Sequence, residues 1–234
     1  MCRSLSSTPG FSSDVLCCRE GALSRADPWE RLAAHDRALR VSLGGVWLAG
    51  IDEAGRGPLA GPVVAAAVVL PDSAHLPMLD DSKRLSPARR ASLEGAIRAA
   101  ALHAGLGRAE VEEIDRLGIL AATFLAMERA AAELPAEAVL LVDGRDFPFR
   151  PRPGRALVGG DGLSACVAAA SVLAKQERDR ELLRLHQLHP QYGFDRHKGY
   201  GTAAHLEALR RLGRCAAHRR SFRLPWERDA LHLP

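Results

Sequence analysis

Val46-Trp47-Leu48-Ala49-Gly50-Ile51 runs into the acidic pair Asp52-Glu53, then a glycine-rich turn, Gly55-Arg56-Gly57, and then the apolar run Val63 to Leu70. Neither apolar segment alternates with polar residues, and both are short for a helix. They read as two strands buried on both faces and joined by a tight connection. Strands of this kind belong at the centre of a sheet.

Working outward, Asp27 is placed to cap a helix that has Pro28 in its first turn. Trp29, Leu32, Ala33 and Leu39 recur at near-helical spacing, predicting a helix to about Val41. Ser86-Pro87 opens a second helix with Leu93, Ile97 and Ala100 on one face, Ala101 to Ala109 reads as a further strand, and Val111 to Leu134 as one helix. Val139 to Val142 is a short buried strand ending at Asp143-Gly144, and Ala156 to Val158 another, ending near Gly159-Gly160-Asp161. Ser164 to Leu185 has helical spacing and turns charged after Lys175. Strands interleaved with helices predict an α/β domain.

The chain has 234 residues, 47% hydrophobic and 26% charged. That composition suits one compact domain with appendages and excludes the disordered, collagen-like and coiled-coil classes. The longest apolar runs, Val63 to Leu70 and Ala165 to Ala170, fall far short of the roughly 20 residues that cross a bilayer. Residues 1–28 are rich in Ser, Gly and Cys without hydrophobic period. They read as a poorly ordered extension and not a secretory signal, which makes the cytoplasm the default location. Five cysteines, Cys2, Cys17, Cys18, Cys166 and Cys215, form no Cys-x-x-Cys pair, arguing against a disulfide framework and a zinc site.

The net charge of +4 hides an asymmetry. Residues 175–228 hold 13 Lys and Arg against 6 Asp and Glu, leaving the rest of the chain slightly acidic. A basic arm beside an acidic body suits a protein that grips a polyanion with one part and holds cations with another. A solvated helical face explains the charge alone equally well.

Carboxylates recur where strands end: Asp52 with Glu53, Asp143, and Asp161. Acids at the buried end of a sheet need a balancing positive charge, and hard oxygen ligands favour Mg²⁺ or Mn²⁺. Adjacent strand residues point to opposite faces, so Asp52 and Glu53 share one cluster only if the backbone twists or a main-chain carbonyl helps. Asp143-Gly144 alone is also a common turn signal. In Gly55-Arg56-Gly57 the glycines admit a close approach to a phosphate or sugar and the arginine adds a charged fork, although Gly-x-Gly by itself is more often just a tight turn.

Gly50-Ile51-Asp52-Glu53-Ala54-Gly55-Arg56-Gly57-Pro58-Leu59-Ala60-Gly61-Pro62-Val63 resembles the signature of ribonuclease HII. Reinforcement follows in chain order from Asp81-Ser82-Lys83, Val142-Asp143-Gly144, Gly160-Asp161, Ala168 to Lys175, Arg178-Asp179, Tyr192-Gly193-Phe194, His197 to Thr202 and His218 to Phe222. The resemblance spans roughly residues 46–225. It implies a ribonuclease H-like catalytic domain over residues 46–185, with a mixed central sheet flanked by helices. A basic, helical substrate-binding segment would follow over residues 186–234, and a helix and linker over residues 29–45 would precede the domain.

The implied activity is endonucleolytic hydrolysis of RNA in RNA–DNA hybrids, and nicking 5′ of single ribonucleotides embedded in duplex DNA. Asp52, Glu53, Asp143 and Asp161 carry over as catalytic, metal-holding acids for Mn²⁺ or Mg²⁺. Two cations about 3.5–4 Å apart activate water and stabilise the leaving oxyanion, giving a 5′-phosphate and a 3′-hydroxyl. Gly55, Arg56 and Gly57 would read the ribose 2′-hydroxyl. Tyr200, in Gly-Tyr-Gly, matches the tyrosine that stacks on the sugar at the RNA–DNA junction, and Lys83, Ser171 and Lys175 match phosphate contacts. For Lys198, Arg219 and Arg220 a solvated surface role is as plausible as a contact. Gly159 departs from the family pattern, standing where many relatives carry a basic residue. The implied partners are RNA–DNA hybrid and ribonucleotide-containing duplex, with no membrane, no small-molecule cofactor and a monomeric state.

Three other readings compete. Ribonuclease HIII carries an extra N-terminal domain, for which the 45 residues before Val46 are too few, and has a glutamate where Asp161 stands. A DNA-directed nuclease or transposase of the same fold would use clustered acids without the Gly-Arg-Gly and tyrosine pairing. A catalytically dead hybrid-binding module would have no need of four acids.

Overall fold

The computed structural model describes residues 27–80, 82 and 85–229. Lys83 and the proposed N-terminal extension up to residue 26 lie outside them. In chain order the strands are β1 (Leu48–Ala54), β2 (Val63–Val69), β3 (His103–Ala109), β4 (Val139–Asp143) and β5 (Gly154–Leu157). They form one mixed sheet in the order β3-β2-β1-β4-β5, antiparallel across β3-β2-β1 and parallel across β1-β4-β5.

The helices are α1 (Pro28–Ser42), α2 (Pro87–Ala100), α3 (Val111–Leu117), α4 (Ile119–Ala131), α5 (Ala165–Leu188), α6 (Phe194–His197), α7 (Ala203–Leu212) and α8 (Pro225–Asp229). The single helix predicted over 111–134 is two, because Gly118 at φ +80° ends α3 and opens α4. β1 starts later than predicted and runs on through both acids, since its ladder to β2 continues with Asp52 opposite Ala66 and Glu53 opposite Ala65. The last strand is Gly154–Leu157 instead of 156–158.

Every residue of β2 is buried, as its unbroken apolar run requires. Ala66 and Val68 face a core with Trp29, Leu32, Leu93, Ile97 and the small residues of α5. Val63, Ala65, Ala67 and Val69 face Ile114, Ala122, Ala126, Met127 and Ala130 on the other side. Each large apolar side chain so buried contributes about 1.5–3 kcal/mol.

The α5 contact is unusually close. A Cβ on Gly50 would lie 2.1 Å from the Cys166 carbonyl carbon and the Val167 nitrogen, so strand and helix meet backbone to backbone. The start of α5 is fastened at the same place: Ser164 Oγ accepts from Val167 N (3.3 Å), and the buried Asp36 of α1 accepts from Cys166 N (2.9 Å). Two of the otherwise orphaned amides of the helix N-terminus are thereby satisfied.

A smaller apolar cluster, Leu182, Tyr192, Phe194, Leu209 and Leu224, packs the C-terminal segment against Ala60 in the connection after β1. No helix of the described residues is long and apolar enough to cross a membrane.

Candidate active site

Register brings the acids together. Ile51 of β1 pairs with Val142 of parallel β4, and both side chains lie in the core away from α5. One residue further along each strand, Asp52 and Asp143 therefore turn to the opposite face, toward α5. Asp161 arrives from the short 3₁₀ turn Gly160–Gly162 that leads into α5, and not from a strand end as predicted. One carboxylate oxygen from each of Asp52, Asp143 and Asp161 falls within 4.8 Å of the others.

Glu53 is not part of this trio. Strand alternation puts its Cβ on the other face with Ala65, and its Oε1 accepts from Arg56 Nη1 at 3.2 Å. It remains electrostatically coupled to the trio: burial and the Asp143 charge raise its pKa, while Arg56 opposes them. Asp52 is pushed well above the usual carboxylate range, first by burial and then by the neighbouring Glu53 and Asp143 charges. Hydrogen bonds from Ser171 and the Glu53 amide (2.7 Å) offset this only in part.

Three mutually repelling carboxylates, two of them buried, form a hard-oxygen set that a divalent cation would balance. The donor chemistry fits Mg²⁺ or Mn²⁺. Ser171 is buried beside Asp52 and shares a 2.8 Å hydrogen bond with Ser82 Oγ, so here it supports an acid from behind. Lys175, one turn along α5, is half-buried and paired with Asp179 at 2.6 Å.

Gly55 has φ +101°, and a side chain there would collide with Arg178, whose Nε would be 2.5 Å from its Cβ. Glycine is what lets the turn close over this arginine. Tyr200 is 48% exposed, which excludes a core role, and Arg178 lies over its ring at 5.7 Å from the centroid. A Cβ on Gly57 would sit 3.7 Å from Tyr200 Cε1, so the glycine turn and the tyrosine face each other.

Lys198 is partly buried and its carbonyl accepts from Arg178 Nη2 at 2.7 Å. Arg220 is exposed, and its amide donates to Asp115 at 2.9 Å. Arg219 is 1% exposed, unlike a solvated surface residue, and burial together with repulsion from Arg178 pushes its pKa down to about 9. Neither Arg178 nor Arg219 announces its burial in sequence: Arg178 stood inside a matched motif without an assigned role, and for Arg219 a solvated surface role stood level with a contact.

Behind Tyr200 the histidines form a relay whose tautomers follow from its ends. The Tyr200 carbonyl can only accept, so His205 Nδ1 donates to it (2.9 Å), and the Cys215 amide can only donate, so His218 Nδ1 accepts from it (3.0 Å). His218 Nε2 must then donate to His205 Nε2 across 3.0 Å. Burial pushes both imidazoles down to about 4.

A family model described as Ribonuclease HII matches residues 49–228. The chain is 57% identical over 176 residues to the ribonuclease HII of Delftia acidovorans, covering 75% of each chain. It is 55% identical over 193 residues to that of Paramagnetospirillum magneticum, covering 80% of this chain and 94% of the relative. Among solved structures, the ribonuclease HII of Archaeoglobus fulgidus, determined in complex with PCNA, superposes with a TM-score of 0.66 at 29% identity, covering 76% of this chain and 96% of that one. A ribonuclease HIII in complex with Mn²⁺ shares the fold, with a TM-score of 0.60 at 20% identity over 86% of this chain and 72% of its own. Such identity along nearly the whole described chain, in a fold that gathers acids suited to a divalent metal, settles its kinship: the chain belongs to the ribonuclease HII family of metal-dependent endoribonucleases, which cleave the RNA of RNA–DNA hybrids.

Proposed function

We propose that this chain nicks duplex DNA on the 5′ side of single embedded ribonucleotides, as well as cutting longer RNA–DNA hybrids, leaving a 5′-phosphate and a 3′-hydroxyl. The observation that carries this reading is the apposition of Gly57 and Tyr200, which supports a slot for one sugar beside the acids. Asp52, Asp143 and Asp161 would hold two Mg²⁺ or Mn²⁺ ions, with Glu53 completing the acid set at its edge. When bound, these ions would activate water and stabilise the leaving oxyanion.

The chain's own groups do the rest. Gly55, Arg56 and Gly57 read the 2′-hydroxyl, Tyr200 stacks on the neighbouring sugar, and Lys83 and Lys175 contact backbone phosphates. Ser171 holds the Asp52 carboxylate in place, with its contact to a phosphate the weaker expectation given its burial. The basic segment 186–234 grips the duplex, and the enzyme serves ribonucleotide removal in replication and repair. The test is a labelled duplex carrying one ribonucleotide, incubated with Mg²⁺, Mn²⁺ or EDTA beside an all-DNA control. A metal-dependent 5′ nick with the control intact is expected; cutting of both duplexes would instead indicate a DNA nuclease.

A further inference from the structure

The turn after β1 is built around a buried arginine from the far end of the chain. Arg219 Nη2 donates to the Gly55 carbonyl at 2.6 Å, Nη1 to those of Arg56 (3.0 Å) and Pro58 (2.8 Å), and Nε to that of Gly61 (2.9 Å). The backbone joins in: Arg219 N donates to Leu59 O and Gly61 N to Ala217 O, both at 2.9 Å. The guanidinium is itself held, lying over Phe222 at 5.0 Å from the ring centroid. Asp115 of α3 clasps the next two residues, accepting from Arg220 N, Ser221 N and Ser221 Oγ at 2.6–2.9 Å.

A trans peptide points its carbonyl and the following N–H in opposite directions. With the Gly55 and Arg56 carbonyls drawn onto Arg219, the N–H groups of Arg56 and Gly57 must face away from it. Without those bonds a turn with two glycines has many conformations of similar energy. A planar fork can satisfy several carbonyls at once, which an ammonium on a flexible stem cannot do in the same geometry.

We propose that Arg219 is the positioning residue for ribose recognition: by holding the carbonyls of the Gly55–Gly61 turn inward, it aims the Arg56 and Gly57 amides at the 2′-oxygen, so discrimination of ribonucleotide from deoxyribonucleotide depends on it. The inference rests on the proposed role of that turn as the 2′-hydroxyl reader.

The test uses the full chain carrying Asp143→Asn, which prevents cleavage, and compares its affinity for a single-ribonucleotide duplex with that for the matched all-DNA duplex in Mg²⁺. Adding Arg219→Lys should lower this preference by about three- to tenfold, the loss of one or two aimed amide bonds, with all-DNA affinity unchanged within about twofold. Asp115→Ala, which loosens the clasp from outside, should lower it in the same direction and decides the matter if Arg219→Lys fails to fold. A preference retained by folded variants, or affinities that fall in parallel for both duplexes, would overturn the positioning role. Absence of any preference in the Asp143→Asn parent would overturn the 2′-hydroxyl reading itself, and this inference with it.

Discussion

Gly160 donates its amide to Oδ1 of Asp143 at 2.7 Å, so the short turn that carries Asp161 is latched to the strand end that carries Asp143. The acid that would hold metal also organises the loop of its neighbour. Asn in place of Asp143 keeps an oxygen for the latch but loses the charge. Asp143→Asn should therefore abolish cleavage, leave hybrid binding nearly intact and shift stability by less than about 1 kcal/mol, whereas Asp143→Ala should lose the latch as well, at about 1 kcal/mol or more. Gel cleavage, hybrid binding and thermal melts of both variants check this; loss of binding in Asp143→Asn would assign Asp143 a structural role.

Asp52 shows the conflict between chemistry and stability. Its folded pKa lies above its unfolded value, so ionisation costs the native state, and the metal-free protein loses stability as pH rises through the folded pKa. Asp52→Asn removes that cost. It should be more stable than the parent in EDTA at pH 8, with a higher melting temperature, yet be inactive. In the parent, Mg²⁺ or Mn²⁺ should raise the melting temperature at pH 8 and much less in acid. A destabilised Asp52→Asn, or a parent indifferent to metal, would contradict this account.

Tyr200 is an exposed member of the proposed sugar slot. Tyr200→Ala should slow cleavage at a single embedded ribonucleotide by on the order of tenfold, the worth of one stacking contact, with Tyr200→Phe close to the parent. Metal affinity, read by calorimetry, should not change. An unchanged nicking rate in Tyr200→Ala would remove the residue from junction sensing.

The relay from Cys215 through His218 and His205 to Tyr200 requires both imidazoles neutral. Their folded pKa values of about 4 lie below the usual value of 6.5, so their stabilising contribution is complete above 6.5 and is lost as pH falls from there toward 4. The loss should reach about 2–3 kcal/mol for each histidine, less where the two are coupled. Denaturant midpoints measured from pH 8 to 4 should drop across this window, and much less in a His205→Gln, His218→Gln variant. A flat profile in the parent would show that the relay is not held neutral.

Gly50 tests the floor of the site. A Cβ there would lie 2.1 Å from the α5 backbone, which has no freedom to yield as a side chain does. Gly50→Ala should cost about 3 kcal/mol or more by pushing α5 away from β1. A melt within about 0.5 kcal/mol of the parent would show that the helix can slide.

Much of this was legible in the chain itself. Val63 to Leu70 read as a strand buried on both faces and Val63–Val69 forms one, and Asp27-Pro28 and Ser86-Pro87 do start helices where their capping chemistry predicts. The acids were visible because carboxylates beside apolar strands stand out from their surroundings. Local signals misjudged Val111 to Leu134, where one glycine at positive φ divides a continuous helical pattern into two.

By itself the sequence determined the residue types, their periodicities and the family motif, all of them properties of neighbours along the chain. Only the tertiary structure decided that Asp161 joins Asp52 and Asp143 while Glu53 stands aside, because that depends on strand register and on where a turn latches. The same holds for Arg219, whose neighbours in sequence left a surface role and a contact equally open. More than 150 residues separate it from the carbonyls it gathers, and burial is set by what the fold brings together across such distances.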